Sequence, residues 1–373
     1  MKIDLKQIWR RLVMHLDGPL LILGTILISV NLVALYSASN QSTDKIIAQL
    51  TNMSVAVTVM WVAANISPQR MMLFAPPLYL LGFILLIGVA VAGDVVNGAR
   101  RWLHIGVTRI QPSEIMKIAM PMMLAWYFDR REASLKIKDF LIATIIMLLP
   151  VALILKQPDL GTAILVGAAS FYILFLAGLS WYVVLGLVLA GVSGIYFVTH
   201  WDLCIQLFHD YQCRRVATMI DPMADPLGDG YHTIQGTIAI GSGGIFGKGW
   251  LAGTQTHLDF IPERTTDFIF AVFAEEFGLV GNCLLLILYL AIIGRGLYIS
   301  ARAANLFGRL LAGSIALSFF TYAFVNMGMV SGILPVVGVP LPMVSYGGTA
   351  LVTLSLGFGI LMSIHSHRKM LQS

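Results

Sequence analysis

The stretch from Pro262 to Glu276, PERTTDFIFAVFAEE, joins acidic and basic side chains to a long apolar run. Asp267 lies at the boundary between a polar loop and a predicted membrane-spanning segment. A carboxylate at such a boundary costs free energy to desolvate, so Asp267 is a candidate functional residue. The alternative is that Asp267 caps the helix that follows, because aspartate is favoured at helix N-termini.

A second set of ionisable residues opens another apolar segment. Pro112 suits a first helical turn, and Glu114 and Lys117 are three residues apart and share a helix face. An acid and a base just inside a membrane helix should be paired or face a polar cavity, and a purely structural ion pair is the alternative. Asp159 repeats the pattern of a proline followed by an acid at a helix start.

Several cations occur in segments where the distribution of basic residues predicts the outer face of the membrane. These candidates for binding an anionic group are Arg100, Arg101, Arg214, Arg215 and Lys248. Trp102 follows the first two, a composition suited to anionic headgroups at an interface. The alternative is that these cations pair with outer acids.

Lys248 belongs to a glycine-rich segment, Gly241–Gly249, that superficially resembles a phosphate loop. The pattern fails because position 242 is serine and the residue after Lys248 is glycine. A backbone nest with Lys248 could still hold a phosphate, and a flexible turn is the alternative.

The composition excludes a soluble globular domain, because 58% of the residues are hydrophobic and only 12% are charged. We predict one all-α polytopic membrane domain over 1–373, with about ten transmembrane helices. Basic loops place both termini in the cytoplasm and the candidate site outside. The first apolar run lacks a cleavage site and should remain as a helix. The predicted spans are 17–37, 45–65, 73–92, 111–128, 139–156, 159–178, 181–200, 267–294, 308–331 and 345–365.

The long segment of about 201–266, between helices 7 and 8, is predicted to be a large extracytoplasmic loop that carries function. Apolar spacing predicts an interfacial helix over 206–220, and 231–240 is predicted as a second short helix. Cys204 and Cys213 lie in this loop. Free thiols are our preferred interpretation, and a disulfide is the alternative.

The segment 331–348 is apolar but rich in glycine and proline. Irregular backbone at membrane depth must be buried in protein or line a water-filled cavity. Acids, bases and broken helices are all predicted on the outer face, which indicates a site open to the outer leaflet.

Taken together, these motifs resemble the SEDS family (shape, elongation, division and sporulation), most closely its elongation member. The motifs run in the family's order along nearly the whole chain: Arg100–Leu103, Gln111–Lys117, Gln157–Thr162, Gly241–Gly244, Gly247–Trp250, Pro262–Phe270, Ala274–Gly278, Gly332–Pro340 and Ser345–Gly348.

The resemblance implies a peptidoglycan glycosyltransferase of the inner membrane that polymerises lipid II. It implies a class B penicillin-binding protein and other proteins of the elongation complex as partners, and no nucleic acid. A lipid II flippase, a non-catalytic scaffold, and the division or sporulation member of the family are the alternatives.

The resemblance also implies roles for the candidate residues. Asp267 is expected to be the general base, and Glu114 and Lys117 to shape the cavity with Trp102 and Asp159. Asp259 or Glu263 would be a second carboxylate or a ligand of a divalent cation. The five outer cations, or Mg²⁺ or Mn²⁺, would stabilise the pyrophosphate leaving group, and no organic cofactor is expected.

Overall fold

The computed structural model describes residues 14–96, 99–105, 108–131, 135–198, 210–228, 230–258, 260–261 and 263–370. Helices dominate, as expected where lipid offers no partner to backbone polar groups. In chain order the helices are α1 Gly18–Ala38, α2 Thr43–Ala64, α3 Pro68–Ala92, α4 Pro112–Asp129, α5 Ile137–Lys156, α6 Leu160–Leu176, α7 Trp181–Val198, α8 Asp210–Ile220, α9 Tyr231–Ser242, α10 Thr254–His257, α11 Ile269–Ala301, α12 Leu306–Val330 and α13 Gly348–Met370.

Each of the ten predicted spans corresponds to a helix, which confirms the all-α polytopic prediction. Within the described residues, seven helices are long and apolar enough to cross a membrane: α1, α2, α3, α5, α11, α12 and most of α13. Two further apolar helices, α6 and the Trp181–Gly191 part of α7, are shorter. The remaining one, α4, carries the Glu114–Lys117 pair.

The centre of the bundle is formed mainly by α12 and α13, the two most deeply buried of these spans. Helix α13 packs against α2, α11 packs against α12, and α3 packs against α4. The outer helices expose large apolar side chains such as Ile22 and Leu73. Surface of this kind is unfavourable in water and favourable in lipid.

A small antiparallel sheet, which the sequence did not lead us to predict, connects α3 to α4. Its strands are β1 Asp94–Val96, β2 Ala99–Ile105 and β3 Thr108–Ile110, in the order β1-β2-β3. The segment contains three valines, two isoleucines, one threonine and one tryptophan, residue types that are frequent in strands. Because successive residues of a strand point to opposite faces, Arg100 and Arg101 on β2 face different ways.

The long loop of about 201–266 contains the two helices predicted for it, as α8 and α9. Cys213 at the buried side of α8 is disulfide-bonded, so our preference for a free thiol there is wrong. Cys204 lies outside the described residues. Cys283 on α11 is free.

Helix α11 is not continuous, which corrects the predicted span over 267–294. Gly278 adopts φ +64°, and the chain forms two helical pieces on either side of it. The glycine-rich turn fills the gap, since the amides of Leu279 and Val280 donate to the carbonyls of Gly244 and Ile245 at 2.9 and 3.0 Å. Asp267 therefore precedes a short half-helix and not the membrane-crossing part of α11.

Candidate active site

Asp267 lies in the turn that immediately precedes α11. The N-cap of α11 is Phe268, and no side chain caps the helix, so the alternative that Asp267 is a helix cap is wrong. Asp267 as a residue is half-buried. Among the described residues, none donates a hydrogen bond to its carboxylate. Its main-chain carbonyl accepts a bond of 2.8 Å from Nδ2 of Asn326.

The electrostatic environment of Asp267 favours the protonated form. Burial, together with the smaller effect of the nearby Glu263 charge, raises the pKa of this carboxyl from 3.8 to about 6. Glu263 is exposed and accepts a hydrogen bond of 2.8 Å from Thr266. A carboxyl with such a pKa can both lose and accept a proton near neutral pH.

The broken segment between α12 and α13 covers Asp267. Gly338 has φ +72°, and a Cβ added there would lie 3.5 Å from Oδ2 of Asp267. A Cβ added at Gly161, near the start of α6, would lie 2.6 Å from the carbonyl oxygen of Val337. These two glycines let the irregular backbone lie between the Asp267 turn and the Asp159 end of α6. Of the two environments predicted for this segment, burial in protein or the lining of a water-filled cavity, Val337, Val339 and Leu341 show burial.

The predicted pair on α4 is formed, with Nζ of Lys117 2.6 Å from Oε1 of Glu114. Thr353 of α13 donates to the other oxygen of Glu114 at 3.2 Å. Lys117 also lies 5.5 Å from the ring centre of Tyr322 and lines a cavity of about 40 Å³ with it. Because Tyr322 and Asn326 are four residues apart on α12, the pair and the Asp267 turn contact successive turns of one helix face.

Asp159 is held in place by groups from three elements. It caps α6 by accepting from the amide of Thr162, and it accepts from Gln111 at 3.3 Å. Nε of Arg101 lies 3.8 Å from its carboxylate, and Arg101 donates to the carbonyl of Pro158 at 2.6 Å. Arg101 thus attaches the small sheet to the start of α6.

Lys248 is engaged by a buried carboxylate in the same way. Its Nζ lies 2.7 Å from both Oε1 of Glu275 and Oγ1 of Thr254. Glu275 is fully buried and also accepts from the amides of Gln255 and Thr256. Lys248 and Glu275 therefore join the glycine-rich turn and α10 to the half-helix that follows Asp267.

The remaining candidates are dispersed. Arg100 is exposed on β2, and Trp102 is half-buried opposite Asp94. Arg214 is exposed and Arg215 half-buried on α8, which packs mainly against Pro222–Ala224. Asp259 lies outside the described residues.

Sequence reasoning missed Asn326, Glu275 and Gly338. A lone amide within an apolar helix is a recognisable signal, because polar side chains within membrane helices bond across to their neighbours. Glu275 was considered only as part of the Pro262–Glu276 stretch, and no role was assigned to it. Gly338 and Asp267 are far apart in sequence, so no local sequence pattern could predict that they lie close together.

The described residues contain no group of three or more histidine, cysteine or acidic side chains placed to hold a metal ion. Magnesium, however, commonly uses one or two carboxylates together with substrate phosphates. The residues near Asp267 fit that mode of binding, with Glu263 as the exposed carboxylate.

A profile of FtsW, RodA and SpoVE proteins, described as cell cycle protein, matches residues 10–370. This chain belongs to the SEDS family. Among SEDS relatives, it is 49% identical to peptidoglycan glycosyltransferase MrdB of Escherichia coli K12, over 98% of this chain and 97% of that protein. It is 32% identical to peptidoglycan glycosyltransferase RodA of Treponema pallidum, over 94% of this chain and 98% of that protein.

Solved SEDS structures show the same fold. One of them comes from a peptidoglycan synthase complex described as coordinating polymerization and crosslinking. Its chain matches this chain with a TM-score of 0.79 and 30% sequence identity, over 94% of this chain and 98% of that chain. The rod shape determining protein RodA of Thermus thermophilus gives TM-score 0.69 and 28% identity, over 94% of this chain and 97% of that chain.

Proposed function

We propose that this SEDS protein polymerises lipid II into glycan strands for cell elongation, with Asp267 as the general base. The glycosyltransferase class follows from the family and from relatives of near full-length similarity. The names of these relatives favour an enzyme over a flippase or a scaffold. The observation that carries the role of Asp267 is its carboxylate, which lies beside Gly338 and has a pKa of about 6.

In the proposed step, the 4-hydroxyl of an acceptor sugar attacks the anomeric carbon of lipid II. Asp267 takes the hydroxyl proton as the new glycosidic bond forms, and the bond to the undecaprenyl pyrophosphate breaks with its electron pair on the leaving group. One carboxylate base with no covalent intermediate gives inversion at the anomeric carbon. Glu114 and Lys117 already neutralise one another, so their role is to shape the cavity.

The leaving pyrophosphate needs positive charge. Arg100 is the candidate that the observed contacts favour, since it is exposed, while Arg101 and Lys248 are occupied by Asp159 and Glu275. Arg214 and Arg215 remain further candidates on α8. A divalent cation, if bound by Glu263 and pyrophosphate oxygens, would supply the same charge neutralisation.

The active site would face the periplasm or cell exterior, with both termini in the cytoplasm. The disulfide at Cys213 supports an oxidising compartment for the long loop. The polymerization and crosslinking activities named for the similar complex support a crosslinking partner. We propose that this partner is a class B penicillin-binding protein, which acts with other proteins of the elongation complex.

Asp267→Asn tests the catalytic role, because asparagine keeps the shape of the side chain and cannot accept the proton. With purified protein, its partner and labelled lipid II, we expect the rate of glycan formation to fall at least about 100-fold. Asp44→Asn, at an exposed carboxylate in the first turn of α2, is the matched control and should retain activity. Full polymerase activity in Asp267→Asn would refute the assignment.

A further inference from the structure

The turn that carries Asp267 is bonded through three successive carbonyls. The amide of Tyr346 donates to the carbonyl of Thr265 at 2.8 Å. Oγ of Ser345 donates to the carbonyl of Thr266 at 2.6 Å. Nδ2 of Asn326 donates to the carbonyl of Asp267 at 2.8 Å. The side-chain donors come from α12 and from the broken segment, which are remote in sequence from the turn.

Asn326 and Ser345 each make a second bond that reaches the segment covering Asp267. Nδ2 of Asn326 also donates to the carbonyl of Val339 at 2.7 Å, and Oγ of Ser345 accepts from the amide of Leu341 at 2.8 Å. Asn326 is fully buried and Ser345 nearly so. Each side chain therefore fixes the Asp267 turn and its covering backbone to one another.

We propose that Asn326 and Ser345 are positioning residues that set the location of the Asp267 carboxylate for glycosyl transfer, an inference that rests on the proposed function above. Neither side chain is placed to react. Both hold main chain on either side of the carboxylate, with Asn326 contacting residues 267 and 339 and Ser345 contacting residues 266 and 341.

We call the hydrogen bonds of Asn326 and Ser345 to the Asp267 turn and its covering segment the clamp. Losing the clamp should have a large effect, because displacement of a reacting group by about 1 Å can reduce a rate about 100-fold. The carboxylate has no side-chain donor of its own among the described residues. Its place is therefore determined by its main chain, and the main chain depends on these two side chains. Binding of the lipid substrate by distant surfaces should be little affected.

Asn326→Leu removes both hydrogen bonds made by Nδ2 and keeps the number and branching of the side-chain heavy atoms. Tyr289→Phe is the matched control, because the buried Tyr289 hydroxyl donates to the carbonyl of Pro342 at 2.9 Å in the same segment and does not bond the Asp267 turn. We expect Asn326→Leu to lower kcat by about 10- to 100-fold relative to Tyr289→Phe, with KM for lipid II changed less than about twofold.

The pH profile separates positioning from general loss of stability. The acid limb is the part of the pH profile where kcat falls as the pH is lowered, and it is expected near pH 6 in the native protein. Release of the turn should expose the Asp267 carboxyl to water, so the acid limb should move to a lower pH in Asn326→Leu. It should not move in Tyr289→Phe. If Asn326→Leu does not accumulate, Ser345→Ala must show the same loss of kcat and the same shift.

Each outcome decides a separate question when Asp267→Asn is assayed alongside. An inactive Asp267→Asn with Asn326→Leu and Ser345→Ala as active as Tyr289→Phe overturns the clamp and leaves the function in place. An active Asp267→Asn overturns the proposed base instead. Equal losses of kcat and stability in Asn326→Leu and Tyr289→Phe, with unmoved acid limbs, would make Asn326 a packing residue only.

Discussion

At the scale of single residues, Asp267 has no cationic partner among the described residues, whereas other carboxylates of the site are paired with a cation. Glu114 has Lys117, Asp159 has Arg101, and Glu275 has Lys248. Truncating one partner of a buried ion pair leaves the other charge buried without compensation, and its desolvation then destabilises the fold. Arg101 and Lys248 are therefore expected to be needed for folding, whatever else they do.

Asp267 should give the enzyme a distinctive pH dependence. A base must be ionised to act, and burial raises the pKa of this carboxyl to about 6, so activity should fall as pH drops through about 6. An acid limb near pH 4, where an ordinary aspartate titrates, would contradict a raised pKa.

The same raised pKa predicts that Asp267→Asn is more stable than the native protein. The folded state binds the proton more tightly than the unfolded state, so this group's contribution to stability falls as pH rises from about 4 through about 6. The thermal midpoint of Asp267→Asn should exceed that of the native protein at about pH 8, and the difference should shrink towards about pH 4. A difference that is independent of pH would count against this explanation.

At the scale of elements, non-helical backbone interrupts the membrane domain at more than one place. Irregular backbone inside a membrane domain needs side-chain partners. The segment between α12 and α13 obtains them from buried donors on three helices. Asn326 donates to Val339, Tyr289 to Pro342 and Asn31 to Val344. The positions of these polar residues within apolar helices are explained by the segment that they support.

The break in α11 depends on Gly278 in a comparable way. At φ +64° a side chain is strained, and a Cβ there would lie 2.2 Å from the amide nitrogen of Gly247 and 2.7 Å from the carbonyl oxygen of Ile245. We expect Gly278→Ala to displace the glycine-rich turn and to lower both the thermal midpoint and polymerase activity. Thermal unfolding and the lipid II assay measure the two effects.

Gly294 on the same helix is the matched control for Gly278. A Cβ at Gly294 meets nothing within 4 Å, and alanine is favoured over glycine in helices by roughly 1 kcal/mol. Gly294→Ala should thus be neutral or slightly stabilising. Equal tolerance of alanine at both positions would show that the turn adapts to a continuous α11.

At the scale of the whole molecule, the two ends of the bundle differ in chemistry. One end holds Asp267 and the long loop with its disulfide. At the other end, Arg295 donates to both oxygens of Asp17 at 3.0 and 2.5 Å, which joins the start of α1 to α11. Burial raises the pKa of the Asp17 carboxyl, but the bonds from Arg295 and the Leu20 amide outweigh it, and the net pKa is lowered.

The proposed orientation predicts which ends are accessible from each side of the membrane. Leu227 in the long loop and Ile137 at the start of α5 are both strongly exposed. In a Cys283→Ser background, Leu227→Cys should react with an impermeant thiol reagent added to intact spheroplasts. Ile137→Cys should react only after the membrane is opened. The reverse pattern would place the site in the cytoplasm and refute the proposed use of lipid II on the outer face.

The sequence by itself determined the membrane class, the ten helices and the candidate catalytic aspartate. Hydropathy over about 20 residues and the spacing of three along a helix are local properties, so the spans and the Glu114–Lys117 pair could be predicted. Family motifs added the activity.

Only the tertiary structure decided how Asp267 is surrounded. The close approach of Gly338, the bonds from Asn326 and Ser345, and the pairing of Arg101 and Lys248 with buried acids all join residues distant along the chain. The same holds for the break at Gly278, because a turn more than 30 residues upstream supplies the carbonyls that the broken helix lacks. Such contacts arise when packed helices bring their polar groups together in a medium that offers no other partner, which is why no local pattern encodes them.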